Sequence, residues 1–204
     1  YEVVHGETLL DTPEGPMPIE VFGAHNLNNL EGARWICQLM GVDADEFYEA
    51  IATFKGASKR LEKIGETAYA VAYKDFAHSP SKVKATTDAV KAQYPDRTLL
   101  ACLELHTYSS LNPEFLEQYA GALDAADRAV VFYSPHALQI KKMKPITESQ
   151  IAEAFQRDDL TIFTDSEDFK QFLQEQELHD CSVLLMSSGN YGGLDFDEVK
   201  GMLS

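Results

Sequence analysis

The stretch AYAVAYKDFAHSPSKVKATTDAVKAQYPDRTLLACLE, residues 68–104, decides the fold. It opens with a short apolar run ending at Lys74-Asp75 and closes with another, Leu99 to Leu103. Between them Ser79-Pro80 starts a helix, because proline at the first helical position gives up an N–H that has no partner there anyway. Val83, Thr87, Val90 and Tyr94 then recur at three- and four-residue steps and form the core stripe. Strand, helix and strand with near-continuous apolar strands is the pattern of a parallel sheet buried on both faces.

Working outward toward the C-terminus, the alternation repeats. Asn112-Pro113 opens a helix with Leu116, Tyr119 and Leu123 on one face, and residues 129–133 form a strand. Thr147 and Gln150 have capping-box spacing, so a helix follows Thr147. A strand at 160–163, a helix after Asp165-Ser166, a strand at 182–186 and a short helix from about Asp195 complete the series. Right-handed crossovers turn it into an α/β, Rossmann-like, mostly parallel sheet with helices on both faces. Ligands of such sheets gather beyond the carboxyl ends of the strands, here after residues 75, 104, 134 and 186.

Toward the N-terminus, strands are expected near 60–65 and 68–75. Residues 2–10 and 17–22 flank Pro13-Glu14-Gly15-Pro16 and read as a β-hairpin. Leu27, Leu30, Ala33, Cys37 and Met40 predict a helix ending at Gly41, and Asp43 opens a second over 43–53 that carries Phe47 and Ile51. Gly56 and Ser58 loosen the chain, so the expected division is 1–54 and 55–204. The chain begins at Tyr1, inside a strand pattern, which suggests a fragment of a longer protein.

Composition narrows the function. Seventeen Lys and Arg against 33 Asp and Glu give a net charge of −16 over 204 residues. That excludes a general nucleic-acid binder, which needs clustered cations to neutralise phosphates. No apolar run approaches the ~20 residues of a membrane span, and no secretory signal is visible. Cys37, Cys102 and Cys181 fit neither a disulfide framework nor a zinc site, and suggest a reducing, cytoplasmic setting.

Five polar segments could carry chemistry. In Gly23-Ala24-His25-Asn26-Leu27-Asn28-Asn29, the amides of Asn26 and Asn29 share one face of a first helical turn. They read the edge of a base or simply cap the helix. Arg60 is a phosphate clamp or an exposed surface residue. Asp75, at a strand end, anchors a ribose hydroxyl or a metal-bound water, or pairs with a local cation. His78 contacts substrate or phosphate, or packs over the helix start. His106, in His106-Thr107-Tyr108-Ser109-Ser110, and Ser188-Gly189-Asn190-Tyr191 follow two further strands, where a cleft is expected. The glycines at 189, 192 and 193 form an anion-holding nest or a tight turn. No P-loop, no G-x-S-x-G elbow and no metal-spaced histidine pair is present.

Taken in order, Gly23/His25/Asn26/Asn29, Phe54/Gly56/Arg60/Glu62 and Asp75/Phe76/Ala77/His78/Pro80 resemble the three linked motifs of the Mur ligase family, the ATP-dependent ligases of peptidoglycan synthesis. The resemblance covers essentially the whole chain. It implies that residues 1–54 end the central ATPase domain and that 55–204 are the C-terminal Rossmann-like domain. His25, Asn26 and Asn29 would surround the adenine of ATP, Arg60 would reach its phosphates and Asp75 its ribose side, Arg60 and Asp75 being the catalytic pair. His78, His106 and Ser188, Gly189, Asn190 and Tyr191 would bind the incoming substrate. The P-loop, the ligands of Mg2+ and the domain that grips UDP-N-acetylmuramate lie outside this chain, so alone it should be inactive. Lys74, Ser79 and the arginine-free run 106–110 depart from the alanine-adding branch. Met186 to Gly193 resembles the branch that joins the recycled murein tripeptide to UDP-N-acetylmuramate. L-alanine as the incoming amine, and a non-catalytic α/β binding module, are the alternatives.

Overall fold

The computed structural model describes residues 1–203. Its N-terminal part is a three-stranded antiparallel sheet, β1 (Glu2–Val4), β2 (Glu7–Thr12) and β3 (Gly15–Ile19), followed by α1 (Ala24–Leu39) and α2 (Ala44–Ala52). The expected single hairpin is a meander. His5 and Gly6 both adopt positive φ, 50° and 82°, which splits residues 2–10 into two strands joined by a two-residue turn. Asp43 caps α2 with Glu46 as the reciprocal partner. Ile19, Leu27, Leu30 and Phe47 form a small core of their own. Met40, counted in the apolar stripe of α1, is exposed together with Trp35, Ile36 and Leu39.

The larger part is a six-stranded sheet. Its strands are β4 (Glu62–Glu66), β5 (Ala70–Asp75), β6 (Thr98–Leu105), β7 (Arg128–Tyr133), β8 (Thr161–Phe163) and β9 (Cys181–Met186), in the order β4-β5-β9-β6-β7-β8. Only β4 runs antiparallel to its neighbour; the other pairings are parallel. The chain leaves β5, skips a place to reach β6, and returns at the end to insert β9 between them. The carboxyl ends of β5, β9 and β6 therefore lie side by side, with Met186 opposite both Asp75 and Leu103.

Helices cover both faces, as the strand pattern requires. α3 (Pro80–Gln93) and α6 (Glu148–Phe155) bury Val83, Val90, Ile151 and Phe155 against Val71, Leu103 and Leu184. α7 (Ser166–Gln174) and α8 (Phe196–Gly201) bury Phe169, Leu173 and Val199 against Leu100, Val183 and Leu185. Burying a large aliphatic or aromatic side chain is worth roughly 1.5–3 kcal/mol, so these two layers dominate stability. The helix expected after Asn112 is only one turn, α4 (Pro113–Leu116), then a 3-10 turn through Tyr119. Gly121, at φ 72°, ends it, yet Leu116, Tyr119 and Leu123 are all buried as expected. A further helix, α5 (Pro135–Ile140), capped by Ser134, has no counterpart in the sequence reading. The two parts touch through Phe22, edge-on to Tyr73 at 5.2 Å, and through Gln93, whose Nε2 donates to the Gly6 carbonyl at 2.7 Å.

Candidate nucleotide-facing site

The first segment that positions a site is the entry to α1. Gly23 has φ 87°, and a Cβ there would stand 2.6 Å from the Cβ of Ala89 on α3. Only glycine lets the chain turn while packed so closely. Asn26 then donates from Nδ2 to the Phe22 carbonyl at 3.0 Å, satisfying an acceptor in the segment that leads into the helix and leaving Oδ1 for other partners. Asn29 lies three residues on.

Both asparagines line one cavity of about 450 Å³ together with Ala33, Ile51, Phe54 and Arg60. Its walls are mainly apolar with a few convergent polar groups, and its size suits a small ligand. Thus Asn26, Asn29 and Arg60, from a helix and from a turn some thirty residues later, meet at one concavity. His25 does not line it. His25 faces a second cavity of about 370 Å³, with Gly23, Asn28, Asp88 and Gln93. Burial holds the His25 imidazole below its ordinary pKa, Asp75 opposes that shift and Arg60 reinforces it. These three residues therefore share one electrostatic neighbourhood.

Arg60 is presented by an unusual turn. Lys59 and Leu61, on either side of it, have φ of 55° and 45°, a region that non-glycine residues occupy only when something holds them there. The turn also explains why β4 starts at Glu62 rather than at residue 60. Among the described residues the Arg60 guanidinium has no hydrogen bond or ion pair.

Asp75 is buried, with 6% of its surface exposed. It does not line the 450 Å³ cavity. Its Oδ2 accepts the Leu61 N–H at 2.7 Å and its Oδ1 accepts the Ala77 N–H at 2.6 Å. Burial raises the pKa of this carboxyl, while those two N–H groups, then Arg60 and His25, oppose the rise. His78 is half-buried, with Nδ1 2.8 Å from the Phe76 carbonyl, and its own carbonyl accepts the Tyr119 hydroxyl.

A second polar group forms where β6 and β9 end. Glu104, 3% exposed, accepts on Oε2 both the Ser187 hydroxyl and the Tyr191 N–H, the latter at 2.9 Å. Its Oε1 is 3.4 Å from Nδ1 of His106, whose ring reaches the surface. Gly189 is packed so tightly that a Cβ would lie 2.8 Å from Oε2 of Glu104. The Asn190 carbonyl accepts from the N–H groups of Gly193 and Leu194 and closes the loop. Ser188 Oγ is buried without a hydrogen-bond partner.

Tyr191 departs from its expected role as a substrate-binding side chain. Its ring is 1% exposed, stacks on Phe169 at 5.0 Å and sends its hydroxyl to the carbonyls of Cys102 and Met186. An apolar ring with one hydroxyl belongs in the core when strand carbonyls can receive that hydroxyl. Conversely, Glu104 lies outside the expected site residues. The signal for it was a lone carboxylate in the apolar run Leu99–Leu105, since an unpaired carboxylate is rarely buried. Among the described residues no three His, Cys, Asp or Glu converge on a metal position. No described helix is long and apolar enough to cross a membrane.

Comparison with known proteins agrees with this architecture. The UDP-N-acetylmuramate–L-alanine ligase of Desulfitobacterium hafniense (strain Y51) is 28% identical over 151 residues, 74% of this chain and 32% of that protein. The chain thus spans about a third of the length of this curated relative. Among solved structures, the UDP-N-acetylmuramate-alanine ligase of Thermotoga maritima superposes with a TM-score of 0.70 at 14% identity, over 99% of this chain and 43% of that one. The murein peptide ligase of Psychrobacter arcticus 273-4 gives 0.58 at 22% identity, over 95% and 39%. At these identities the structures speak for the fold. The family described as "Mur ligase, glutamate ligase domain" matches residues 59–189, well over half of the chain, and the chain therefore belongs to the Mur ligase family.

Proposed function

We propose that this chain is the ATP-closing, amine-binding part of a ligase that joins an amine to the carboxylate of UDP-N-acetylmuramate. Residues 1–54 end the central ATPase domain, and 55–204 are the C-terminal domain. ATP phosphorylates the muramoyl carboxylate to an acyl phosphate; the incoming amine then attacks the carbonyl and inorganic phosphate leaves. The chain's own contribution is to bind and orient. Asn26 and Asn29 offer amide donors and acceptors to the base edge, while His25 faces the neighbouring cavity. Arg60 places a permanent cation where phosphate charge grows, with Asp75 behind it. Closing over the nucleotide excludes water and fixes the reacting groups. His78, His106 and the loop at Ser188, Gly189 and Asn190 face the incoming amine. The magnesium that accompanies ATP takes its ligands from residues outside this chain.

The observation that carries this reading is the convergence of Asn26, Asn29 and Arg60 on one cavity of ligand size. The test is ATP-dependent phosphate release by the intact enzyme with UDP-N-acetylmuramate and the tripeptide. Asn29→Ala and Arg60→Ala are each expected to raise the KM for ATP at least about tenfold, the loss of one charged or bidentate hydrogen bond. Unchanged ATP dependence in both variants would sink the reading.

For the incoming amine we favour L-alanyl-γ-D-glutamyl-meso-diaminopimelate. The run His106 to Ser110 has no arginine for the carboxylate of a free amino acid, and a bidentate fork is lost with it. L-alanine is the second reading, favoured by the name of the Desulfitobacterium relative. A higher kcat/KM for L-alanine than for the tripeptide would decide for it.

A further inference from the structure

We infer that Lys141, Lys142 and Lys144, with Tyr108 beside them, form a cationic edge that receives the distal carboxylates of an acidic peptide and so selects a peptide over a free amino acid. This rests on, and deepens, the proposed reading of the tripeptide as the incoming amine. Three observations carry it. The first is charge. The chain holds 17 Lys and Arg against 33 Asp and Glu, yet three lysines fall within residues 141–144. Lys63, Lys74, Lys84, Lys91 and Lys170 each pair with a carboxylate. Among the described residues, the ammonium groups of Lys141, Lys142 and Lys144 have no carboxylate partner.

The second is construction. Lys141 holds its Nζ 4.5 Å from the centroid of the Tyr108 ring, joining the loops that follow β6 and β7. Tyr108 and Ile140 are 64% and 67% exposed. Met143 packs against the large core, while Lys142, at φ 53°, and Lys144 are exposed. The N–H groups of Lys141, Lys142 and Met143 donate, each at 3.0 Å, to the carbonyls of Ala137, Gln139 and Leu138 respectively. These bonds end α5 and fix the backbone that carries the lysines.

The third is place. Strands β5, β9, β6 and β7 are consecutive in the sheet. Three strand spacings, ~14 Å, therefore separate the end of β5, on the nucleotide side, from the end of β7. An extended tripeptide spans ~10 Å along its backbone, and a γ-glutamyl linkage and a diaminopimelate side chain lengthen it further. With its amine at the reacting carboxylate, its free carboxylates lie over the ends of β6 and β7, beyond His106. L-alanine carries its one carboxylate next to its amine and does not reach them.

The experiment uses the intact enzyme with UDP-N-acetylmuramate and a non-hydrolysable ATP analogue, and reads tripeptide binding by calorimetry; KM values are measured separately for ATP and for both amines. The triple variant Lys141→Gln/Lys142→Gln/Lys144→Gln is expected to weaken tripeptide binding and raise its KM about tenfold, the combined effect of three exposed charge pairs. The KM values for ATP and L-alanine should stay native. Added salt is expected to weaken tripeptide binding to the native enzyme and to have little effect on the variant. If L-alanine proves the preferred amine, the functional reading fails, yet loss of tripeptide binding in the triple variant still supports the edge. Tripeptide binding that is equal in both proteins, or absent from the native one, refutes the edge whichever amine is ligated.

Discussion

Two buried carboxylates stand near the carboxyl ends of β5 and β6, Asp75 and Glu104, on either side of β9, and they solve the same problem differently. Each collects donors from a loop distant in sequence: Asp75 from Leu61, and Glu104 from Ser187 and Tyr191. Each is nearly inaccessible, at 6% and 3%. Asp75 accepts a backbone N–H on each of its two oxygens. Glu104 concentrates its donors on Oε2 and keeps Oε1 toward the exposed imidazole of His106. The loops differ accordingly. The Asp75 turn holds non-glycine residues at positive φ, whereas the Glu104 loop places Gly192 and Gly193 at most of its left-handed positions and needs Gly189 small. What separates the two carboxylates is whether an oxygen remains beyond the donors of the loop: Asp75 has an N–H on each oxygen, and Glu104 keeps Oε1 for an imidazole.

The largest expected effect tests whether Glu104 is the heavier structural load. Glu104→Ala leaves two buried donors without an acceptor and opens a void. It is expected to cost about 3 kcal/mol or more in urea unfolding of the intact protein. Asp75→Asn, which keeps volume and one good acceptor, is expected to cost about 1–2 kcal/mol. The reverse order would break the comparison by making the Arg60 turn, not the β9 loop, the better-anchored segment.

A smaller effect sharpens the Glu104 side. Tyr191→Phe removes the hydroxyl near the carbonyls of Cys102 and Met186 and is expected to cost about 1 kcal/mol. The KM for the incoming amine should not change, because the ring faces Phe169 and not the cleft. A several-fold rise in that KM at native stability would return Tyr191 to the substrate.

The frame of the molecule was legible because it rests on periodicities that packing enforces. Residues 68–104 announced β5, α3 and β6, and Pro80, Asp43 and Thr147 marked helix starts through chemistry local to the chain. The convergence of Asn26, Asn29 and Arg60 was legible only through motif order, since no spacing rule says that a helix and a turn thirty residues later meet. What stayed hidden depended on tertiary partners. Positive φ at His5, Lys59 and Leu61 contradicts local preference and is imposed by contacts. The role of Tyr191 follows from two strand carbonyls 84 positions apart along the chain, Cys102 and Met186. The short helix α5 has too few residues for an apolar period to register.

His106 offers the next test, and the stability change should be slight because its imidazole is partly exposed. His106→Gln is expected to alter unfolding free energy by less than about 0.5 kcal/mol, the usual range for surface substitutions. It should raise the KM for the amine while leaving the KM for ATP unchanged. The opposite split would place the imidazole on the nucleotide side and merge the two regions that the carboxylates keep apart.

The smallest effect concerns pH and separates Asp75 from its neighbour His25. Burial lowers the His25 pKa from its ordinary 6.5, so between that value and the folded pKa the unfolded chain binds more protons than the folded one. Stability from this site is then full above pH 6.5 and is lost as pH falls through the lowered value. Asp75 has the opposite slope. Its pKa is raised from 3.8 by burial, so its contribution is full below 3.8 and is lost as pH rises through the folded value. His25→Gln should therefore flatten the decline in Tm between pH 7 and the mildly acidic range, and Asp75→Asn should remove the opposing trend at lower pH. Asp75 and Arg60 both act on the His25 ring, so the His25→Gln effect is expected to change size in an Asp75→Asn background. Strict additivity of the two pH profiles would mean that the imidazole and the Asp75 carboxyl do not sense each other, and that the neighbourhood around Arg60 is two sites and not one.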